Sequence, residues 1–357
     1  MRGLGKHGTT IAGLIGHLAG KRGRGSGAGG AAILLPVAPS VSVIVPLHRR
    51  TPAFKCCIET TLRQLRRGDE LLVVSDTDPG ALPDGVGLLI TEAACDTSPA
   101  EKRDVALDVA NGDICAFLDD DAYPAEDWIQ RALERFADPA IVGVGGPGVT
   151  PPTSTWRERA GGAFYESPFG SGGLRFRFTP LGPVRDVDDF PAYNLFVRTS
   201  HLRAIGGWNS NYYGGEDTKV CLELRRAGHR IVYDPQVLVY HHRRLVFGPH
   251  WRQVANVGQQ RGRFVRAFPE TSRRPLYFAP AVGLIGGVTG IAWAARDPNR
   301  AAIVAALGAA GAATITGWAL RDRRGLAVAL TLPAVVASTH AAYGAAFLRG
   351  LATRKLT

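Results

Sequence analysis

Phe117 and Leu118 run straight into three consecutive carboxylates, Asp119, Asp120 and Asp121. Like charges at the buried tip of a strand repel one another and resist leaving water, so such a tip needs a cation beside it. Hard oxygen ligands suit Mg²⁺ or Mn²⁺, which keep coordination positions open for phosphate oxygens. The chemistry that uses this set is cleavage of a nucleotide-diphosphate bond, where charge develops on the leaving group. A second acidic pair, Glu216 and Asp217, follows Gly214 and Gly215 and opens a run that stops at Ala227 and Gly228. Acids at that place can cap a helix, whose positive end favours them. His241 and His242 are adjacent on an apparent strand, so their side chains point to opposite faces and cannot share one site.

Apolar runs at 42–46 and 70–76 read as short buried strands, and a third ends at 114–118. Between the first two, Ile58, Leu62 and Leu65 have helical spacing over 52–66. A second helix, at 100–110, carries Lys102 and Arg103 ahead of the acidic strand. Alternating strands and helices predict an α/β fold with a mostly parallel sheet, which binds ligands at the carboxyl ends of its strands. Pro46, Asp76 and Asp119 all fall at such ends.

On these residues the chain resembles the family 2 glycosyltransferases, from about Val41 to Arg263. The resemblance implies the GT-A fold, a Rossmann-like arrangement, and an inverting reaction. It places Pro46 and the opening strand at the nucleotide pocket and Asp76 at the base. Lys102, Arg103, Asp119 and Asp120 would lie along the diphosphate, with the metal on Asp119 and Asp121. The family's ED pair implies a general base at Asp217, with Glu216 orienting it or serving as the alternative base. Tyr193, Asn194, Gly207 and Trp208 match the acceptor-side loop, and His241 matches a residue that approaches the metal. Gln260 and Arg261 resemble a weaker acceptor-side signature, QxxRW in processive synthases. Gly262 and Arg263 stand where its Trp belongs, which argues against a processive enzyme. Two further departures are Leu47, His48 and Arg49 in place of the usual Asn, and Ser75 in place of an acid.

The rest of the chain predicts where this chemistry takes place. Residues 1–38 form a basic, Gly-rich arm, 39–270 the catalytic domain, and 271–357 three transmembrane helices. Segments 276–295, 301–320 and 325–347 lack charge and are each long enough for a hydrocarbon core of about 30 Å. Gly283, Gly286, Gly287 and Gly290 predict close helix packing there. Residues 243–274 hold eight arginines against Glu270 alone, a net +7 of the chain's +11. That belt predicts a multi-pass protein of the cell membrane with a cytoplasmic catalytic domain, able to hold anionic lipids. No RNA-binding motif accompanies the arginines, so nucleic acid is not an expected partner. Five cysteines without CxxC or Cys/His spacing read as reduced thiols. Residues 151–188, rich in Pro, Gly and Arg, read as a mobile loop. The expected partners are a nucleotide-diphosphate sugar, a polyprenyl-linked or other glycan acceptor of cell-envelope or exopolysaccharide synthesis, and membrane lipids. Two rival readings are a nucleotidyltransferase, which needs a Gly-rich loop where Leu47 to Arg50 stand, and a non-catalytic membrane scaffold. Truncation after Glu270 would leave a soluble catalytic domain.

Overall fold

The first strand, β1 (Val41–Pro46), is buried along its whole length, as a parallel strand covered on both faces must be. The computed structural model describes residues 38–91, 97–210 and 214–353; most of the N-terminal arm and Cys95 lie outside them. From β1 the chain passes through α1 (Pro52–Leu62), β2 (Glu70–Ser75), β3 (Val86–Ile90), α2 (Pro99–Val109) and β4 (Ile114–Leu118). Thr51 and Ser98 cap the two helices, with a proline in each first turn. α1 stops short of its predicted end, and Gln64 turns aside to bridge Ala125 O and Trp128 N.

β5 (Ala122–Pro124), α3 (Trp128–Arg135), β6 (Ile141–Gly145), β7 (Gly148–Val149) and α4 (Trp156–Glu166) follow. Then come β8 (Arg185–Asp186), β9 (Asn194–Arg198), α5 (Thr199–Ala204), α6 (Glu216–Arg226), β10 (Arg230–Tyr233) and β11 (Val239–His241). The main sheet has the order β3-β2-β1-β4-β9-β6-β10-β8. It is mostly parallel, with β9 inserted antiparallel between β4 and β6. A small sheet, β5-β11-β7, lays His241 opposite Ala122, one residue past the acidic triplet. One face of the main sheet packs Phe54, Ile58 and Trp128, and the other packs Phe117, Leu195 and Trp208.

Residues 151–188 are not a mobile loop. Thr155 and Glu158 form a capping box that starts α4, and Gly172–Arg177 makes a 3-10 helix. Composition misleads here because Ala160, Ala163 and Phe164 of α4 are buried by a helix far along the chain.

That helix belongs to the last group: α7 (Gly248–Ala267), α8 (Pro269–Ser272), α9 (Pro275–Ala294), α10 (Pro298–Arg321) and α11 (Leu326–Ala352). α9, α10 and α11 are long and apolar enough to cross a membrane. α11 also folds back along α7 and α4, burying Leu332, Val335 and Phe347. Glycine permits this seam, but not at the predicted positions. A Cβ on Gly258 would lie 2.7 Å from Tyr343 O of α11, and, where α11 meets α9, one on Gly344 would lie 2.7 Å from Pro280 O. Gly262 and Gly350 meet the backbone of the facing helix just as closely. Gly283, Gly286, Gly287 and Gly290 have nothing within 4 Å of an added Cβ, so they make no such contact.

The arginine belt is also less free than its charge suggests. Arg243 is buried on Gly148 O, Arg244 meets Asp121, Arg261 pairs with Asp189, and Arg274 pairs with Asp188. Arg252 and Arg266 stay exposed.

Candidate active site

Immediately after β4 the backbone turns, Ala122 N donating to Asp119 O at 3.0 Å, and enters β5 against β11. The turn brings ligand atoms of Asp119, Asp121 and His241 within 4.8 Å of one another. His241 Nε2 lies 3.0 Å from Asp121 Oδ1, and Arg244 Nη2 lies 3.3 Å from its Oδ2. Burial alone would raise the Asp121 carboxyl, but His241 and Arg244 outweigh it and hold it at about 2. Asp120 turns the other way and accepts from His48 N at 2.9 Å. Burial, then the charges of Asp121 and Asp119, push Asp120 up to about 6. Such unrelieved repulsion is what a divalent cation removes, and two carboxylates with one imidazole suit Mg²⁺ or Mn²⁺. The residues therefore fit a metal.

Both basic residues of α2 are buried, each 3% exposed, and both are already engaged by acids. Lys102 Nζ contacts Asp76 Oδ2 and Leu47 O, each at 2.8 Å. Burial would raise Asp76, yet Lys102 and the hydroxyls of Thr97 and Thr91 hold it below its ordinary range. Pro46, beside Leu47, is buried at the end of β1. Arg103 is a bridge: Nη2 reaches Asp119 at 3.0 Å and Nη1 reaches Glu216 at 3.1 Å. Its guanidinium lies over the Trp208 ring, 4.6 Å from the centroid. One cation thus ties the metal acids to the acidic pair of α6.

The residue before α6 is Gly215, at φ 108°, which has no side chain to cap the helix. Glu216 accepts from Gly214 N at 3.0 Å and from Arg103. Asp217 is half-buried and accepts from Thr218 N at 2.7 Å. Burial raises its carboxyl to about 6, with Glu216 and Asp189 adding to the effect and Arg261 opposing it. The neighbouring acids, Asp188 and Asp189, are both engaged by arginines. Asp189 pairs with Arg177 and Arg261 and accepts from Thr218 Oγ1 at 3.0 Å. These partners overcome burial and hold it well below the carboxylate range. Asp188 is held by Arg225 and Arg274.

The residues expected on the acceptor side divide into two groups. Asn194 is fully buried, donates to Gly146 O and Val237 O, each at 2.7 Å, and accepts from Trp128 Nε1. It is spent in the core and cannot touch an acceptor. Trp208 is likewise fully buried, between Phe117 and Arg103. Gly207, at φ 75°, lets the chain pass over Asp104, which accepts from Trp208 N. Tyr193 packs its ring 4.6 Å from His241 and donates its hydroxyl to Arg177 O. Gln260 and Arg261 lie on α7, Gln260 half-buried and Arg261 buried beside Asp189. His242 takes the opposite face and meets Glu158 at 3.4 Å. Sequence reasoning missed Arg177 and passed over Arg244. Arg177 stands in an arginine- and phenylalanine-rich stretch with no period to single it out.

Residues 42–194 match the sequence model of glycosyl transferase family 2. The chain carries a family 2 glycosyltransferase domain. A pre-mycofactocin glycosyltransferase of Mycobacterium tuberculosis is 30% identical over 272 residues, covering 72% of this chain and 53% of that protein. The glycosyltransferase AglE of Haloferax volcanii is 23% identical over 235 residues, 62% of this chain and 72% of its own. The chain thus spans about half the length of the mycobacterial relative. Among solved structures, the mannosyltransferase PcManGT from Pyrobaculum calidifontis, in complex with GDP-Man and Mn²⁺, superposes with a TM-score of 0.53. It is 21% identical and covers 85% of this chain and 88% of its own. The family 2 domain is therefore GT-A-like in fold, with three apolar helices after it.

Proposed function

We propose that this chain is a membrane-associated, inverting glycosyltransferase that moves a sugar from a nucleotide-diphosphate sugar to a hydroxyl of a lipid-linked glycan acceptor. The observation that carries the reading is the Arg103 bridge, which couples the Asp119 end of the metal triad to the acids of α6. Mg²⁺ or Mn²⁺ held by Asp119, Asp121 and His241 would supply positive charge to the leaving diphosphate. Asp217, titrating near neutrality, takes the proton of the acceptor hydroxyl as that oxygen attacks the anomeric carbon. One in-line displacement inverts that carbon. Glu216, fixed by Arg103 and Gly214, orients its neighbour. Asp76 lies at the base end of the donor pocket, held by Lys102. α9 to α11 anchor the protein, with the catalytic face in the cytoplasm where nucleotide sugars are made.

The test is a panel of nucleotide sugars with Mn²⁺ against the full chain in detergent, read by thermal stabilisation and by released nucleotide. A true donor at 100 times its dissociation constant stabilises the fold by about 2.7 kcal/mol, and slow hydrolysis releases a nucleoside diphosphate. Pyrophosphate as the product would favour a nucleotidyltransferase. Binding without turnover of any donor in the presence of lipid extracts would favour a scaffold.

A further inference from the structure

An open cavity of about 850 Å³ lies between the family 2 domain and the apolar helices, outside the donor site. The α9 wall includes a stripe of Leu276, Pro280, Gly283, Gly287 and Ile291, spaced at three or four residues, with Leu284 and Val288 beside it. The fifteen steps from Leu276 to Ile291, at about 1.5 Å each, make the stripe about 22 Å long, most of one hydrocarbon core of about 30 Å. A wall of that length suits an extended hydrocarbon chain. One end is polar. Arg177 and Arg261, each 8% exposed, line it together with Tyr343. Arg177 Nε, Arg261 Nη1 and the Tyr343 hydroxyl are buried there without any hydrogen-bond partner. Three unsatisfied donors are expensive to bury and point to an absent acceptor group. Asp189 is ion-paired with both guanidinium groups and Asp217 lies near them, yet these three donors remain, and they favour a group with several acceptor oxygens.

We propose that this groove binds a single-chain lipid phosphate, its hydrocarbon chain along α9 and its phosphate on Arg177, Arg261 and Tyr343. The lipid enters from the bilayer, because the stripe lies on a helix whose other residues, such as Val282 and Ile285, are exposed. Arg261 also donates to Thr218 Oγ1 at 3.0 Å, and Thr218 adjoins Asp217. A sugar carried on the phosphate therefore extends toward the base. The assignment rests on the glycosyl-transfer reading and gives its acceptor a place.

Binding of farnesyl phosphate to the full chain in detergent tests it, with farnesol and inorganic phosphate as separate halves. Farnesyl phosphate is expected to bind about a hundredfold more tightly than either half, since chain and phosphate are recognised together. Gly283→Leu and Gly287→Leu fill the groove without a backbone clash and are expected to weaken it at least about tenfold. Tyr343→Phe should weaken farnesyl phosphate about tenfold, the size of one hydrogen bond to a charged group, and leave farnesol unchanged. Gly308→Leu, on α10 outside the groove, should bind as the parent does. Inorganic phosphate binding as tightly as farnesyl phosphate overturns the proposal. So does parental affinity in both filled variants. Donor binding, measured in the same samples, keeps the two readings apart: a parent that binds nucleotide sugar but not farnesyl phosphate loses the groove and keeps the enzyme.

Discussion

Asp217 and Asp189 sit within one cluster and are driven in opposite directions, because Asp189 takes the arginines and Asp217 is left among acids. Asp217→Asn keeps the shape and removes the proton acceptor. Transfer should fall by about 10²–10⁴ while donor binding and melting temperature hardly move, and a parental rate would displace the base from this residue. In the parent the rate should climb with pH through about 6 and level off above it, where the carboxylate is ionised. Stability should follow the reverse sense. A raised carboxyl favours the fold at low pH, and that contribution is lost as pH rises through about 6. Asp121→Asn should abolish the gain in donor affinity that Mn²⁺ brings, measured by titration with and without the ion. Equal affinities in mutant and parent would remove Asp121 from the metal site. At this scale the acids were legible because three carboxylates on an apolar strand have few other uses. Asn194 and Trp208 were not, because a motif marks a residue without saying whether it faces the ligand or the core. Both are core residues that hold the site's wall in place.

Among elements, β1, β2 and β4 were readable because each is a short apolar run buried from both sides. The helices α4 and α7 were not. The buried face of α7 is Val254, Gly258, Arg261, Gly262 and Phe264, too rich in glycine and charge to register as a helical stripe. Its partner, α11, lies about eighty residues further on, and no local pattern reports so distant a contact. Gly258→Ala probes that seam. The added methyl meets Tyr343 O, so the variant should lose about 1–3 kcal/mol, read as a lower melting temperature, and an unchanged transition would mean the helices stand further apart. The same contact corrects the expectation of a soluble fragment. Truncation after Glu270 strips α11 from α4 and α7 and bares Ala160, Phe164 and Val265. The expected product aggregates or melts without a cooperative transition; a monodisperse fragment with parental donor affinity would show the seam to be dispensable.

At the scale of the molecule, the fold joins a sheet edge that handles charge to three helices suited to hydrocarbon. α11 belongs to both, since one of its faces is core and the other is apolar surface. The charge count of the arginine belt was legible, but its use was not, because six of those eight arginines close ion pairs or carbonyl contacts. The glycine seam has a consequence for product size. On the proposed reading, the α7–α11 clamp ties the chemistry to the anchor and would hold Asp217 at one height above the bilayer. A glycan rooted in the membrane presents its end to that height at one length only, and each added sugar carries the end beyond it. The protein would then act as a ruler: products should carry one added residue, and a ladder of lengths by mass spectrometry would show that the clamp yields.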